Sequence, residues 1–451
     1  MRNDKSILHS ITNANTTRRS VLKNGLLLGA ALSAPYITTT RVFAQDAKKV
    51  TFLSEESSPK AQAVYDRINA DFQKETGITV VMEYPGFANI AQRVSTLIAS
   101  GTPAELVWYG AGSAMEVALQ GQFADVSGLV KELDIPENLR LVVDGKDRSV
   151  ATSQQFVYGW YRSDLYEKAG AEPYSDWDSF LAAIKKLDNP PNVYGNIVPS
   201  AQTGAAHLLM ETMMQKNDAH WFRLNGEGQY EVALDQGDNM KAVVETLDFL
   251  HDAHQHSPEG SNYDWGDLMS QYFTGRVANS YYVGARLLEQ TLTNAPDLAG
   301  VTKPIALPRK ATDNYYLSVQ GFHIGAGSNE DGARQYIQFF LNHPAYIDWL
   351  HSVPLHIIPA KREVLRSEAY QANDVIQQRM DVLEFIDSIW GLGRAPYYWD
   401  GDKLNPFVGI YQNDNLGGWM LAARNIGGRE SEDIVKEAAE KIRTKQADLK
   451  K

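Results

Sequence analysis

Glu55 and Glu56 stand side by side after an apolar run, and paired carboxyl groups are the usual equipment of acid–base chemistry. Adjacent side chains on a strand leave on opposite faces. At most one of the two faces a given cleft while strand geometry holds, so contact with a polar ligand suits them better than a catalytic couple. A second candidate is His251-x-x-His254-x-His256, flanked by Asp248 and Asp252. Histidines three apart on a helix share a face and can hold a metal. Histidines in the last turn of a helix are also simply favoured by its dipole. Ser257-Pro258 places His256 beyond the helix end, which supports that second account and no resident metal. Ser57 and Lys60 match S-x-x-K, but no S-D-N or K-T-G follows, and helix capping explains the pair. The sequence holds no G-x-S-x-G, H-E-x-x-H or G-x-x-x-x-G-K-[ST] pattern. It holds no cysteine, which removes disulfides, thiol catalysis and iron–sulfur ligation.

The aromatic residues say more. The chain has 22 Tyr and 9 Trp, and several fall in expected loops rather than at core spacing: Tyr281-Tyr282, Tyr315-Tyr316 and Tyr397-Tyr398-Trp399. Aromatic faces pack on the C–H face of a sugar ring, while acids, amides and arginine take its hydroxyls. Ordinary packing accounts for more than half of these residues, but several at strand ends raise the odds of a sugar cleft.

The elements that must position such groups follow from periodicity. Lys49 to Leu53 reads as a first strand. Ser57-Ser58-Pro59 offers an N-cap and a first-turn proline for a helix carrying Ala61, Val64, Ile68 and Phe72 on one face and ending at Gly77. Strands are expected at Ile78 to Met82 and Leu106 to Tyr109, and helices at Ile90 to Ser100 and Ser113 to Leu119. This alternation implies an α/β fold with an open, mainly parallel sheet whose ligands bind beyond the carboxyl ends of the strands. Residues 160 to 300 are helix-rich, with amphipathic stretches at Asp178 to Leu187 and Met240 to His251. Strand pattern returns near Lys303 to Ile324. Helices are expected at Gly332 to Leu341 and from Glu430 to the end. At 451 residues the chain exceeds one core, and the order α/β, helical, α/β suggests one domain interrupted by another.

A net charge of -12 argues against nucleic acid as a partner. Arg18, Arg19 and Lys23 precede an apolar stretch from Gly25 to about Ile37, and Val42-Phe43-Ala44 supplies small residues for cleavage after Ala44. Thr17 to Lys23 resembles the twin-arginine export motif, with Val21 where Phe is usual. The expectation is a signal peptide over 1–44 and an exported, soluble periplasmic protein without a lipid anchor.

Val143 to Leu187 resembles the crossover of extracellular solute-binding proteins of ABC importers, in the maltose-binding-like class. The D-G-K turn is Asp144-Gly145-Lys146. The crossing strand is Ala151 to Val157. The Y-N-x-D-L-like stretch is Tyr161-Arg162-Ser163-Asp164-Leu165, and the T-W-x-E-F helix start is Asp176-Trp177-Asp178-Ser179-Phe180. The proline usual before that strand is absent, and Arg162 replaces Asn. Phe273 to Ala278 is similar to the F-x-x-G-K-A-A-M segment. Gln320-Gly321-Phe322-His323-Ile324 with Ser328 to Ala333 is similar to G-G-W-x-I…S-K-N-x-E-A-A, and Val353-Pro354 to Pro359-Ala360 follows in order.

The resemblance implies a periplasmic-binding-protein-like fold of two α/β lobes joined by a hinge. The N-lobe comprises 45–153 and 305–355, and the C-lobe 154–304 and 356–451. It implies a receptor that closes on a carbohydrate or derivative and presents it to permease subunits, with no cofactor. Export would engage the twin-arginine machinery. The residues expected in the cleft are Glu56, Phe87 and Tyr109 at strand ends, Gln155 on the crossing strand, Tyr281, Tyr282 and Arg286 after the matched C-lobe segment, Gln320, and Trp399. Arg286 suits hydroxyls or an anionic group, or else a salt bridge at a helix start; neutral and anionic sugars therefore both stay open. The alternatives are a secreted carbohydrate-active enzyme using two carboxylates or a binder of a non-sugar polar solute.

Overall fold

A computed structural model describes residues 48–449 apart from Ala88, Ser261 and Asp402. The export segment expected over 1–44 lies outside the described residues. Three strands, Lys49–Ser54 (β1), Thr79–Glu83 (β2) and Leu106–Gly110 (β3), form the parallel part of the main sheet, with β1 between the other two. Helices Pro59–Thr76 (α1) and Ile90–Ala99 (α2) make the crossovers. Ser58 caps α1 by accepting the Ala61 N–H, and Ala61, Ile68 and Phe72 face the core as their spacing requires.

Beyond β3 the major strands pair antiparallel, which corrects the expectation of a mainly parallel sheet. The next major strands are Val150–Arg162 (β4), Asn279–Val283 (β5), Thr302–Ile305 (β6) and Tyr315–Ile324 (β7). β7 lies between β3 and β4 and runs opposite to both. The cause is topological. A βαβ crossover keeps consecutive strands parallel; here the chain leaves the first lobe along β4 and returns along β7, so the two must oppose. The first half of β4 pairs with β7, and its second half pairs with β5 and β6. β4 thus belongs to both lobes. Its register with β7 shifts between Gln320 and Gly321, so Thr152 is bulged. The Thr152 Oγ1 accepts the Trp108 indole N–H at 2.8 Å, and its carbonyl accepts the Tyr346 hydroxyl at 2.7 Å, tying the bulge to the first lobe.

The first lobe's core is aromatic. Phe52 meets Tyr65, Phe322 and Tyr336 edge-on, and Trp349 packs on Trp108 and Phe340. The second lobe is helical around β5 and β6, as its sequence implies. Trp177–Leu187 (α3) starts with a capping box in which Asp176 accepts the Ser179 N–H and the Ser179 hydroxyl accepts the Asp176 N–H. Trp177 then stacks on Phe249 of Gly237–His254 (α5), with centroids 4.2 Å apart. Between them in sequence, Gly204–Lys216 (α4) is buried along nearly its whole length. Among the described residues no helix is long and apolar enough to cross a membrane.

Candidate functional site

Where the two lobes face each other lies a cavity of about 560 Å³, within the range of small-molecule sites. The carboxyl ends of β1 and β3 supply Glu55, Glu56, Ser57 and Gly110, and the turn after β2 supplies Phe87. The second lobe supplies Trp265 at the start of Trp265–Phe273 (α6), Tyr282 on β5 and Arg286 at the start of Arg286–Asn294 (α7). The floor is made by the two crossing strands, through Gln155 and Tyr316 to Gln320, with His356 beside them.

Both Glu55 and Glu56 line the cavity, although neighbours on a strand would diverge. The reason is that β1 stops at Ser54. The Glu56 carboxylate then turns back to accept the Ser58 N–H at 2.9 Å, and the Ser54 hydroxyl bonds to the Glu56 carbonyl. The Glu55 carboxylate accepts the Gly110 N–H at 3.3 Å. Burial, with the Glu56 charge adding to it, pushes the Glu55 carboxyl up to about 8 against the opposing pull of that hydrogen bond. A protonated Glu55 can donate a hydrogen bond into the cavity. Glu56 forms an ion pair with Arg286 at 2.7 Å, joining the two walls.

His356 is the hub of the floor. The Gln155 side-chain amide lies 3.0 Å from its Nε2. An amide N–H needs a ring lone pair there, so the imidazole must be neutral. Burial, and then the positive charge of Arg286, hold its pKa well below the ordinary histidine value, in keeping with that. Gly284 lets the ring approach: it sits at φ +64, and a Cβ there would come within 2.6 Å of His356 Nδ1. The aromatic walls are Trp108, Trp265, Tyr282, Tyr316 and Tyr397, with Phe87 at the mouth, 67% exposed. Trp265 and Tyr282 stand edge to face at 5.3 Å.

Glu56, Phe87, Gln155, Tyr282, Arg286 and Gln320, all expected from the sequence, come together in this lining. Three expected residues do not. Tyr109 points to the opposite face of β3 from Trp108 and packs on Phe123 and His323. Tyr281 likewise opposes Tyr282, is buried in the second lobe and donates its hydroxyl to the Ala205 carbonyl at 2.7 Å. Trp399 stacks on His220 and donates its indole N–H to the Ala219 carbonyl; Pro396 and Tyr397 reach the cavity instead. Sequence reasoning missed Trp265, although Asp264-Trp265-Gly266-Asp267 repeats the acid–aromatic helix start seen at Asp176-Trp177. It also missed Trp108, one position from the residue chosen. His356 and Gln412 carried no local signal.

The histidine cluster is dispersed among separate partners. His251 meets Asn425, His254 meets Ser200 and the Val198 carbonyl, and His256 meets Asp188. As expected, α5 ends at His254 and His256 lies beyond it. Among the described residues no group of three or more His, Cys, Asp or Glu is placed to hold a metal.

Residues 55–347 match the family described as bacterial extracellular solute-binding protein. A putative ABC transporter periplasmic-binding protein of Escherichia coli K12 is 24% identical over 366 residues, covering 78% of this chain and 82% of that protein. A sugar transporter from Arthrobacter chlorophenolicus A6 with bound laminaribiose is similar in structure, with a TM-score of 0.72 at 16% identity, over 88% of this chain and 99% of that one. So is an ABC transporter solute-binding protein from Thermotoga lettingae TMO bound with α-D-tagatose, with a TM-score of 0.70 at 20% identity, over 88% and 98%. These likenesses establish the two-lobed, periplasmic-binding-protein-like fold.

Proposed function

Because this chain belongs to the family of bacterial extracellular solute-binding proteins, we propose that it is the receptor of an ABC importer for a carbohydrate or carbohydrate derivative. The observation that carries the reading is the composition of the cavity: aromatic faces from both lobes alternate with amide, carboxyl and hydroxyl groups. Such a lining offers a sugar ring an apolar face and its hydroxyls partners. The sugars named with the two solved structures point the same way. Closure would pivot about β4 and β7, with lobes of 45–153 plus 305–355 and 154–304 plus 356–451. The closed form would engage permease subunits, and residues 1–44 would direct export through the twin-arginine machinery to the periplasm.

The protein binds without turnover in this reading. Glu55 and Glu56 are the acidic residues of the cavity lining and sit on the same wall. A glycosidase needs two carboxyl groups flanking the bond it cleaves. A thermal-shift panel of mono- and disaccharides, polyols, uronates and sugar phosphates tests the reading. Ligand at a hundred times Kd adds about 2.7 kcal/mol of apparent stability. No shift with any of them, or a product formed from any of them, overturns it.

A further inference from the structure

We infer that the Glu56–Arg286 pair is a charge filter, selecting uncharged polyhydroxyl ligands over the corresponding carboxylates. The inference deepens the carbohydrate reading of this cavity and rests on it.

An anionic sugar needs a positive group free to meet it, because a carboxylate moved from water into a half-buried site loses hydration that only a charge or several hydrogen bonds restore. Arg286, His207 and His356 are the basic residues of the lining. Each of them already has a partner. The Arg286 guanidinium is 2.7 Å from a Glu56 carboxylate oxygen, and the two side chains retain 24% and 9% exposure. His356 is kept neutral by burial and by Arg286 itself, and it faces Gln155. His207 Nε2 lies 3.4 Å from the buried Glu211 carboxylate on the next turn of α4, and its Nδ1 accepts the Gly417 N–H. An entering anion that reaches the guanidinium nitrogens left open by this single contact must lie beside the Glu56 charge, or displace it. A neutral sugar meets no such cost and can bond to the oxygen and nitrogen atoms that the pair leaves open.

Charge on Glu56, rather than its shape, is the active ingredient. Glu56→Gln keeps the side chain's size and its acceptor for the Ser58 N–H while releasing Arg286. Glu56→Asp keeps the charge. The experiment is isothermal titration of the full protein and of E56Q, E56D and R286Q with D-glucose against D-glucuronate, D-galactose against D-galacturonate, and D-mannitol against D-mannonate. In the unaltered protein at least one neutral member binds, and its carboxylate binds at least tenfold more weakly. E56Q narrows or reverses that ratio by tenfold or more, and E56D preserves it. Should E56Q lose its cooperative melt, R286Q supplies the reading, since a lone Glu56 widens the ratio by tenfold or more.

An unchanged ratio in a folded E56Q overturns the filter while leaving the carbohydrate reading in place. So does a carboxylate that binds the unaltered protein more tightly than its neutral partner. Binding of no member of any pair overturns the filter, and the carbohydrate reading then stands or falls with the wider thermal-shift panel.

Discussion

Gln320 donates from Nε2 to Gln155 Oε1 at 3.0 Å, joining the returning strand β7 to the outgoing strand β4 at the floor of the cavity. The same amide also bonds to the Ser318 hydroxyl, while Gln320 Oε1 is buried without a partner. An unpaired buried acceptor costs stability until something donates to it, and Gln320 lies in the lining. A ligand hydroxyl is the donor this arrangement calls for. Gln320→Leu should weaken the ligand found by the thermal-shift panel tenfold or more, about 1.4 kcal/mol. The melting temperature should change little, because the variant loses a bond to Gln155 but also removes the orphaned oxygen. Calorimetric titration beside a thermal melt separates the two effects, and undiminished affinity would remove Gln320 from the contact surface.

Trp265 offers the clearest test of aromatic packing. It heads α6, where Asp264 and Asp267 form a capping box, and its ring stands against Tyr282 inside the cavity. The cap fixes the helix start without using the indole, so Trp265→Ala should leave the helix intact. Affinity should fall by one to two orders of magnitude, in line with the usual weight of an aromatic anchor in a pocket. The matching Trp399→Phe variant is the control, since that indole is spent on the Ala219 carbonyl and on stacking with His220. Equal losses of affinity in both variants would contradict the placement of the cavity.

Glu55 should imprint a pH dependence on stability. Its folded-state pKa, near 8 through burial, lies above the ordinary carboxyl value. Between about pH 4.5 and 8 the folded protein therefore keeps a proton that the unfolded chain has released. Stability falls as pH rises through that window and is unaffected by this group below it. Glu55→Gln removes the contribution. Urea denaturation at pH 5 and pH 8 should show the variant gaining at least about 1.4 kcal/mol on the unaltered protein between the two conditions. Parallel behaviour at both pH values would mean that Glu55 ionises normally in the cavity.

What the sequence made legible was local. The cap at Ser58, the face of α1, the three parallel strands and the end of α5 all follow from spacing within one element, and the structure has them there. Glu56 and Phe87, expected in the cleft at strand ends, line the cavity for the same reason. Failure came one residue away. Trp108 and Tyr109, or Tyr281 and Tyr282, are equally aromatic, and which member faces the cavity depends on which sheet face the other lobe covers. That fact is long-range. His356 meets Gln155 across some two hundred positions of chain, and Arg286 meets Glu56 across a similar span. No window of sequence holds both members of either pair, so only the fold could reveal them.

His323 lies in the stretch that resembles a family motif, yet it is buried behind the site and never reaches it. Its Nδ1 lies 3.0 Å from the Arg148 carbonyl and donates to it, its Nε2 is buried without a partner, and its ring packs against Phe123 and Tyr109. Burial lowers its pKa to about 4, against the pull of its hydrogen bond to the Arg148 carbonyl. The unfolded chain thus binds a proton from about pH 6.5 downward that the folded protein refuses until near pH 4, and stability falls as pH falls through that window. His323→Phe removes the titrating group and fills the same space between the two aromatic rings. It loses the bond to Arg148, so it should be the less stable protein at pH 7, by about 1 kcal/mol. By pH 5 the order should narrow or reverse, because the unaltered protein has by then lost up to about 2 kcal/mol through this group. Guanidinium denaturation at the two pH values checks it. A gap between the two proteins that is the same at pH 7 and pH 5 would show that His323 can take up its proton without unfolding.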